Sequence, residues 1–510
     1  MRQFSLAVLG AALALVALTC VVYEPALRGD FVYDDAYYVR DNPFLKSADG
    51  LRRIWLTTEF PDYFALSTTS FWLEWRLWGN NPLGYHLTNI SLHIVNALLL
   101  WLLLSRLRAP GAYLAALVFA LHPVNVESVA WISERKNLLS LCFALLSTLS
   151  FLRWDDETKR PAWYVASLAG FAFALLSKTA VVMLPCVLLV LLWWRHNSVS
   201  RQQLLAVLPF FVLSAAMGSV AMWFDAHHSV AGEVVRHDSL LARLAGAGWV
   251  AWFYVAKAIW PVSLSVIYPR WRLDPSSALV WVPLATFGVT CLSLAKNRAA
   301  IVAVLCYVTL LFPFLGFFDI SFMAYSYVAD HWAYVALIPV MALVCAGAAR
   351  LSVRSGWTHA VVFIILILLG VNTWRQSHVW HDEETLWRDT LRKNPLAWMA
   401  HNNLGNVLLA QGHTDAAVAE YRQTIALRPD YANAHYNLGI VNFRRGDFDE
   451  AAKEFREAAR LKPKSAEAHN NLGAALANLG RTNDAIAEFE TASALAPTWE
   501  EPRNNVARLR

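Results

Sequence analysis

The sequence predicts an all-α chain: a polytopic membrane helix bundle of about eleven transmembrane helices, followed by a soluble α-solenoid. Three observations lead there. Hydrophobic residues make up 57% of the 510 positions and charged residues 16%, with a mean hydropathy of +0.38, too few polar groups to cover a water-facing surface. Apolar runs long enough to cross a bilayer recur up to about residue 375. After Trp380 the composition turns polar, and small and aromatic residues recur with a fixed period.

Spans are expected near 4–22, 86–104, 112–132, 137–153, 161–177, 179–194, 203–223, 279–295, 299–317, 332–349 and 357–374. The basic start and apolar run of 1–22 suit a signal peptide, but the run is long and lacks a small-x-small cleavage site, so a retained first helix is expected. Arg106/Arg108, Arg153 with Lys159/Arg160, Arg195/Arg201, Lys296/Arg298 and Arg350/Arg354 then share one side with Arg2, the cytoplasmic side by the positive-inside rule. Loop 23–85 and the C-terminal tail fall on the other. Segment 243–260 is apolar enough to cross, but crossing would reverse the later charges, so a re-entrant or interfacial placement is expected. Twenty of the 23 tryptophans precede residue 381, as suits rings at membrane interfaces. The net charge of +5 comes from the basic loops, and no dense Lys/Arg tract calls for nucleic acid. The cysteines (Cys20, Cys142, Cys186, Cys291, Cys306, Cys345) lie in apolar runs without a C-x-x-C pair, so neither disulfides nor a zinc site is expected.

In the tail, Pro395, Pro429, Pro463 and Pro497 recur every 34 residues. Leu404-Gly405, Leu438-Gly439 and Leu472-Gly473 share that period, as do Ala417, Ala451 and Ala485, and Tyr421, Phe455 and Phe489. Thirty-four residues is the tetratricopeptide period, one helix–turn–helix per unit. The chain is therefore divided into a membrane domain at 1–375, a connecting or capping helix at 376–394, and repeats at 395–428, 429–462, 463–496 and 497–510, the last partial. Asn403, Asn437, Asn471 and Asn505 form a column on the first helices, which line the concave face of such solenoids. That column offers an amide ladder to an extended peptide backbone, or simply faces water.

The chemistry gathers on the side opposite the basic loops. Adjacent Asp34 and Asp35 follow the first span closely; the pair suits general-base work or oxygen ligation of a cation, and equally a solvated acidic turn. His86, Asn89, His93 and Asn96 share one helix face, as a cavity lining or a structural polar stripe. His122, Glu127 and Glu134 lead into Arg135 and Lys136, two cations that break the charge rule, as do Lys178, Lys257 and Arg270. A lipid-phosphate anion explains them together, and snorkelling explains each alone. Asp330 and His331 close the set: the histidine contacts a phosphate or pairs with Asp330.

The segments GDFVYDDAYYVRDNP, NPLGYHLTNISLHIVNALLLWLL, ALHPVNVESVAWISERKNLLSLCF, LLSKTAVVMLP, WFYVAKAIWPVSLSVIYPRW and YSYVADHWAYVAL together resemble the transmembrane and tetratricopeptide-repeat O-mannosyltransferases and their bacterial homologues, across nearly the whole chain. The resemblance implies a GT-C fold, an active site at the outer membrane surface, a polyprenyl-phosphate monosaccharide donor and a Ser/Thr acceptor, with inversion at the sugar carbon. It implies Asp34 or Asp35 as the base, and Arg135, Lys136, Lys178, Lys257, Arg270 and His331 at the donor phosphate, where the family usually carries an arginine in place of His331. His86, His122, Glu127, Glu134 and Asp330 are further active-site candidates. Metal-independent transfer is expected, with a divalent metal left open, because no acidic or His ligands accompany the Asp pair locally.

The leading reading is thus a protein O-glycosyltransferase, with mannose one candidate sugar and the repeats recruiting the acceptor. A GT-C transferase acting on a lipid or glycan, and a non-enzymatic membrane scaffold, are the alternatives. A bacterial inner membrane with a cytoplasmic N-terminus and periplasmic repeats is expected, and an ER membrane with luminal repeats is the alternative. The one N-glycosylation sequon, Asn89-Ile90-Ser91, lies inside a span and gives the ER no support.

Overall fold

The computed structural model describes residues 6–60, 62–156, 160–229, 235–236, 238–352 and 356–510. The expected inside cations Arg2, Lys159 and Arg354 lie outside these. The chain divides into two units, Met1–Asp382 and Glu383–Arg510. Among the described residues every regular element is helical.

Among the described residues of the first unit, five helices are long and apolar enough to cross a membrane: Pro82–Arg106, Ile132–Asp156, Thr179–His196, Arg201–His227 and Trp357–Val379. Two bent pairs, Ala112–Leu121 with Pro123–Ala130 and Asp330–Ala336 with Ile338–Ser352, raise the number to seven. The other expected spans fall on shorter apolar helices, Leu6–Val22, Pro161–Ser177, Ala278–Leu294 and Arg298–Phe314. Among the described residues, five to seven helices thus reach full spanning length, and the four shorter ones account for the rest of the expected eleven positions. Segment 243–260 lies within Leu240–Ile259, one unbroken 20-residue helix that is not among the spanning helices. Its small residues allow close packing, since a Cβ at Gly248 would strike the backbone of Leu284 in Ala278–Leu294.

The first bent pair turns by 53° at His122–Pro123. Proline removes a backbone N–H and pushes the residue before it out of the helical region, and His122 is extended at φ −82°, ψ 124°. A second interruption at Trp131–Glu134 precedes the helix Arg135–Asp156. Broken helices free carbonyls, and buried carbonyls need donors. Thr373 Oγ1–H donates to Leu121 O at 2.6 Å, and Asn125 Nδ2–H to Phe119 O at 2.8 Å. Asn89 Nδ2 lies 3.3 Å from the carbonyls of Val129, Trp131 and Ile132. Three members of the stripe on Pro82–Arg106 thus make interhelical hydrogen bonds: beside Asn89, His93 Nδ1 lies 2.8 Å from Tyr334 OH, and Asn96 Nδ2–H donates to Leu138 O at 2.9 Å. Asn89→Ala should strip donors from this break and cost roughly 1–3 kcal/mol, read as a lower unfolding temperature of the purified protein.

Members of the two sets of cations lie at opposite ends of the helix Arg135–Asp156. At one end of Arg135–Asp156, Arg106 pairs with Asp156 at 2.9 Å and Arg195 with Asp155 at 3.2 Å, while Arg298 donates to Trp193 O at 2.7 Å. Lys136 begins the other end. There the loop after the first helix folds into short helices, including Gly50–Leu56 and Ala65–Trp78. Their apolar residues (Phe31, Val39, Leu45, Ile54, Phe60 and Phe71) close a core onto Tyr85 and Ile132.

The second unit opens with Glu383–Lys393, followed by three helix pairs and the helix Glu500–Leu509. Gly405, Gly439 and Gly473 recur because an aromatic ring occupies the space of a side chain: a Cβ would lie 2.6 Å from Tyr421, 2.7 Å from Phe455 and 2.9 Å from Phe489. A second column accompanies them. His401, His435 and His469 each place Nδ1 on a carboxylate (Glu420, Glu454, Glu488) at 2.6–2.7 Å and Nε2 on a proline carbonyl (Pro395, Pro429, Pro463) at 3.0–3.2 Å. Arg503 meets Pro497 O in the same way. Two acceptors require two N–H groups, so at His401 and His435 the imidazolium is the form that satisfies both. Burial pulls His401 down, but its hydrogen bond to Glu420 leaves it raised; His435 is raised first by its bond to Glu454. Raised folded values mean stability that is full below the ordinary histidine range and is lost as pH rises through the folded values. Amide hydrogen exchange in the repeats of the intact protein, corrected for intrinsic rate, should be slower at pH 6 than at pH 8.5, and His401→Gln/His435→Gln should flatten that difference.

Candidate active site

The site is assembled where the folded loop meets the interruption at Trp131–Glu134. A turn at Val32–Asp35 aims two carboxylates at it. Ser133 meets both: its Oγ–H donates to Asp34 Oδ1 at 2.6 Å and its backbone N–H to Asp35 Oδ1 at 2.7 Å. The Trp131 indole N–H donates to Asp34 Oδ1 at 2.9 Å. Asp35 is fully buried, and its Oδ2 accepts the Val32 N–H at 3.1 Å. Asp34 is half-buried, and among the described residues its Oδ2 accepts no hydrogen bond.

These environments separate the two acids. Burial pushes Asp34 up to about 6, against the pull of Lys136 and the hydrogen bond from Ser133. Burial and then the charge of Asp34 push Asp35 up to about 8. At neutral pH Asp34 is the ionised member with an oxygen to offer, and Asp35 is the protonated, backbone-bound one.

Lys136 stands beside Asp34, and Lys178 joins the cluster through Glu134. Glu134, almost fully buried, accepts from Lys136 Nζ at 3.1 Å and Lys178 Nζ at 2.8 Å. The Lys136 ammonium lies 5.3 Å from the Tyr38 ring and 5.9 Å from the Trp131 ring. Tyr38 OH donates to Asp62 Oδ2 at 2.6 Å, adding an acid that sequence reasoning did not single out. Behind Trp131, His331 Nδ1 lies 2.9 Å from Glu127 Oε1, and Asp330 Oδ1 accepts from Tyr268 OH at 2.8 Å. His331 thus pairs with Glu127, not with the neighbouring Asp330.

The other candidates sit elsewhere. Arg135, fully buried, pairs with Glu74 and donates to Asn89 Oδ1 at 2.8 Å and Tyr85 O at 2.9 Å, so its guanidinium is spent inside the bundle. His122 bridges the Val124 N–H and Ala258 O. His86 is buried against Gly29, where a Cβ would lie 3.3 Å from its Nε2. Lys257 Nζ donates to Val262 O at 2.6 Å and lies 5.0 Å from the Tyr268 ring. Arg270 lies over Tyr327 at 4.7 Å. In the repeat unit, the ladder amides clasp consecutive repeats: Asn437 Nδ2–H donates to Asn402 Oδ1 at 3.2 Å, Asn471 to Tyr436 OH at 2.9 Å and Asn505 to Asn470 Oδ1 at 3.3 Å. Asn403 accepts from Asn402 at 3.1 Å.

Known proteins resemble parts of this chain. Residues 70–223 match the family model of dolichyl-phosphate-mannose-protein mannosyltransferases, and 384–432, 403–466 and 442–498 match tetratricopeptide repeats. The chain is 25% identical to Protein O-mannosyl-transferase TMTC1 of Homo sapiens, over 84% of this chain and 56% of that protein. It is 26% identical to Protein O-mannosyl-transferase TMTC4 of Homo sapiens, over 80% and 64%, and 25% identical to a Protein O-mannosyl-transferase of Caenorhabditis elegans, over 82% and 63%. The matched regions therefore span less than two thirds of these relatives' own lengths. Among solved structures, a crystal structure of MamA aligns with 25% of this chain and 74% of its own at 21% identity and a TM-score of 0.24, too slight a likeness to carry an argument.

Proposed function

We propose that this chain, a homologue of the transmembrane and tetratricopeptide-repeat protein O-mannosyl-transferases, is a glycosyltransferase that moves a monosaccharide, with mannose the leading sugar, from a polyprenyl-phosphate lipid to Ser/Thr hydroxyls of extracytoplasmic proteins. The observation that carries this reading is Asp34: a half-buried carboxylate held through one oxygen by Trp131 and Ser133, with Lys136 beside it and Lys178 sharing the Glu134 carboxylate. Its second oxygen takes the proton of the acceptor hydroxyl. The acceptor oxygen then bonds to the sugar's anomeric carbon from the face opposite the phosphate, inverting it, and the broken carbon–oxygen bond leaves its electron pair on the lipid phosphate.

That step turns a phosphodiester monoanion into a phosphate monoester with a further negative charge, while Asp34 becomes neutral. Lys136 and Lys178 stabilise the charge as it develops. Lys257 and Arg270 add positive charge on the route of the lipid headgroup, and the Glu127–His331 and Asp330–Tyr268 pairs form the wall behind Trp131. No metal step is needed. The repeats bind acceptor segments; Asn437, Asn471 and Asn505, whose amide N–H groups clasp neighbouring repeats, offer carbonyl oxygens to a peptide backbone. The Asp34 end of the bundle faces outward, in a bacterial inner membrane with periplasmic repeats or in an ER membrane with luminal ones.

The test is transfer from polyprenyl-phosphate mannose by the purified full-length protein to extracytoplasmic proteins of its own source. Mannose appearing on Ser or Thr is the expected result. Silence with mannose and with other polyprenyl-phosphate sugars, while Asp34→Asn protein still supports the cell, gives the scaffold reading instead.

A further inference from the structure

The residue before Asp34 has an unusual backbone. Tyr33 lies at φ +56°, in the left-handed region that side chains other than Asn and Asp seldom enter. It is the second residue of a tight turn in which the Asp35 N–H donates to Val32 O at 3.1 Å, a place where glycine or asparagine is usual. That conformation sets the directions of the next two side chains: Asp35 reaches the Ser133 N–H, and Asp34 reaches Ser133 Oγ and the Trp131 indole.

A glycine would make this turn without strain, so what the tyrosine adds is its ring. The ring lies against Trp131, with centroids 5.2 Å apart and planes tilted by 36°. The same indole stacks on Trp380 at 5.5 Å, meets His331 edge-on at 5.8 Å, and donates its N–H to Asp34. Strained backbone persists where its surroundings over-determine it, and it gathers at sites that need a fixed geometry.

We infer that Tyr33 is a positioning residue for the Asp34 base: its left-handed backbone and its ring against Trp131 hold the indole N–H and the carboxylate in register. The inference rests on the reading of Asp34 as the base. It assigns Tyr33 no contact with either substrate.

The test uses full-length protein in lipid nanodiscs, labelled with 5-fluorotryptophan, with the Trp131 resonance identified by its loss in Trp131→Phe. In the wild type this resonance should titrate with Asp34, and Asp34→Asn should abolish the titration. Tyr33→Phe keeps ring and backbone and should keep the wild-type Trp131 titration. Tyr33→Gly relieves the backbone and removes the ring. It should unfold no lower than wild type, yet its Trp131 resonance should shift and titrate at higher pH. With polyprenyl-phosphate mannose as probe, its kcat should fall about 10²-fold, with the acid limb of the pH profile displaced upward.

An unchanged titration and kcat in Tyr33→Gly would overturn the inference while leaving Asp34 as base. A lower unfolding temperature, with kcat restored once folded fractions are matched, would overturn it in favour of a merely structural role. If Asp34→Asn abolishes the Trp131 titration but transfer continues, the base reading fails and the Tyr33–Trp131–Asp34 coupling stands.

Discussion

Asp34→Asn is expected to lower kcat by about 10²–10⁴-fold with little change in the fold. The replacement keeps an oxygen to accept from the Trp131 indole and the Ser133 hydroxyl. It removes the group that takes the acceptor proton. Asp35→Asn should behave differently. Asp35 meets a backbone N–H at each oxygen, so an Asn amide would set a donor against one of them. That leaves a buried N–H unpaired and should cost roughly 1–3 kcal/mol of stability, with a smaller effect on turnover at matched folded fraction. The wild-type pH profile carries the same assignment. With Asp34 raised to about 6, kcat/KM should climb as pH rises through that value, because only the ionised carboxylate accepts the proton. A profile flat across that range, or an active Asp34→Asn protein, sinks the assignment.

The lysine pair carries the second large effect. Lys136 and Lys178 share the carboxylate of Glu134, so the trio holds one net positive charge next to Asp34. Removing both lysines alone would strand a buried carboxylate, a change of about 3–5 kcal/mol for a broken buried pair, and would confuse misfolding with lost catalysis. The informative variant is Lys136→Met/Lys178→Met/Glu134→Gln, which removes the trio's charge together. It should elute as folded protein, while kcat/KM for the polyprenyl-phosphate donor falls about 10²–10³-fold. Glu134→Gln alone should keep both cations and most of the activity. If the triple variant transfers sugar normally, the donor phosphate sits elsewhere, and Lys257 and Arg270 become the cations to examine.

Arg135 and Lys136 show how far sequence reasoning reaches. Read in line, they are one basic turn with one role. Consecutive helix residues point about 100° apart, so the first pair of a helix serves different neighbours. Arg135 turns into the bundle toward Glu74 and Asn89, and Lys136 turns toward Glu134 and the Asp34 carboxylate. Ser133 was visible in the run before them, yet nothing local marked it as the residue that meets both aspartates across 98 and 99 positions of chain. Tyr33 gave no signal at all, since a left-handed φ is expected of glycine or asparagine.

The sequence by itself determined the membrane bundle, the repeats, the acidic pair and the cations opposite the basic loops. Each is a local property: an apolar run measured against bilayer thickness, a fixed 34-residue period, two adjacent carboxylates, charges that violate a sidedness rule. Only the tertiary structure decided which aspartate keeps an oxygen to offer and which is bound by backbone amides. It also decided that His331 answers to Glu127, and that the ladder asparagines clasp one repeat to the next. The reason is physical: a buried polar group takes its partner from whatever packing brings within hydrogen-bond reach, and packing joins segments whose separation along the chain carries no signal.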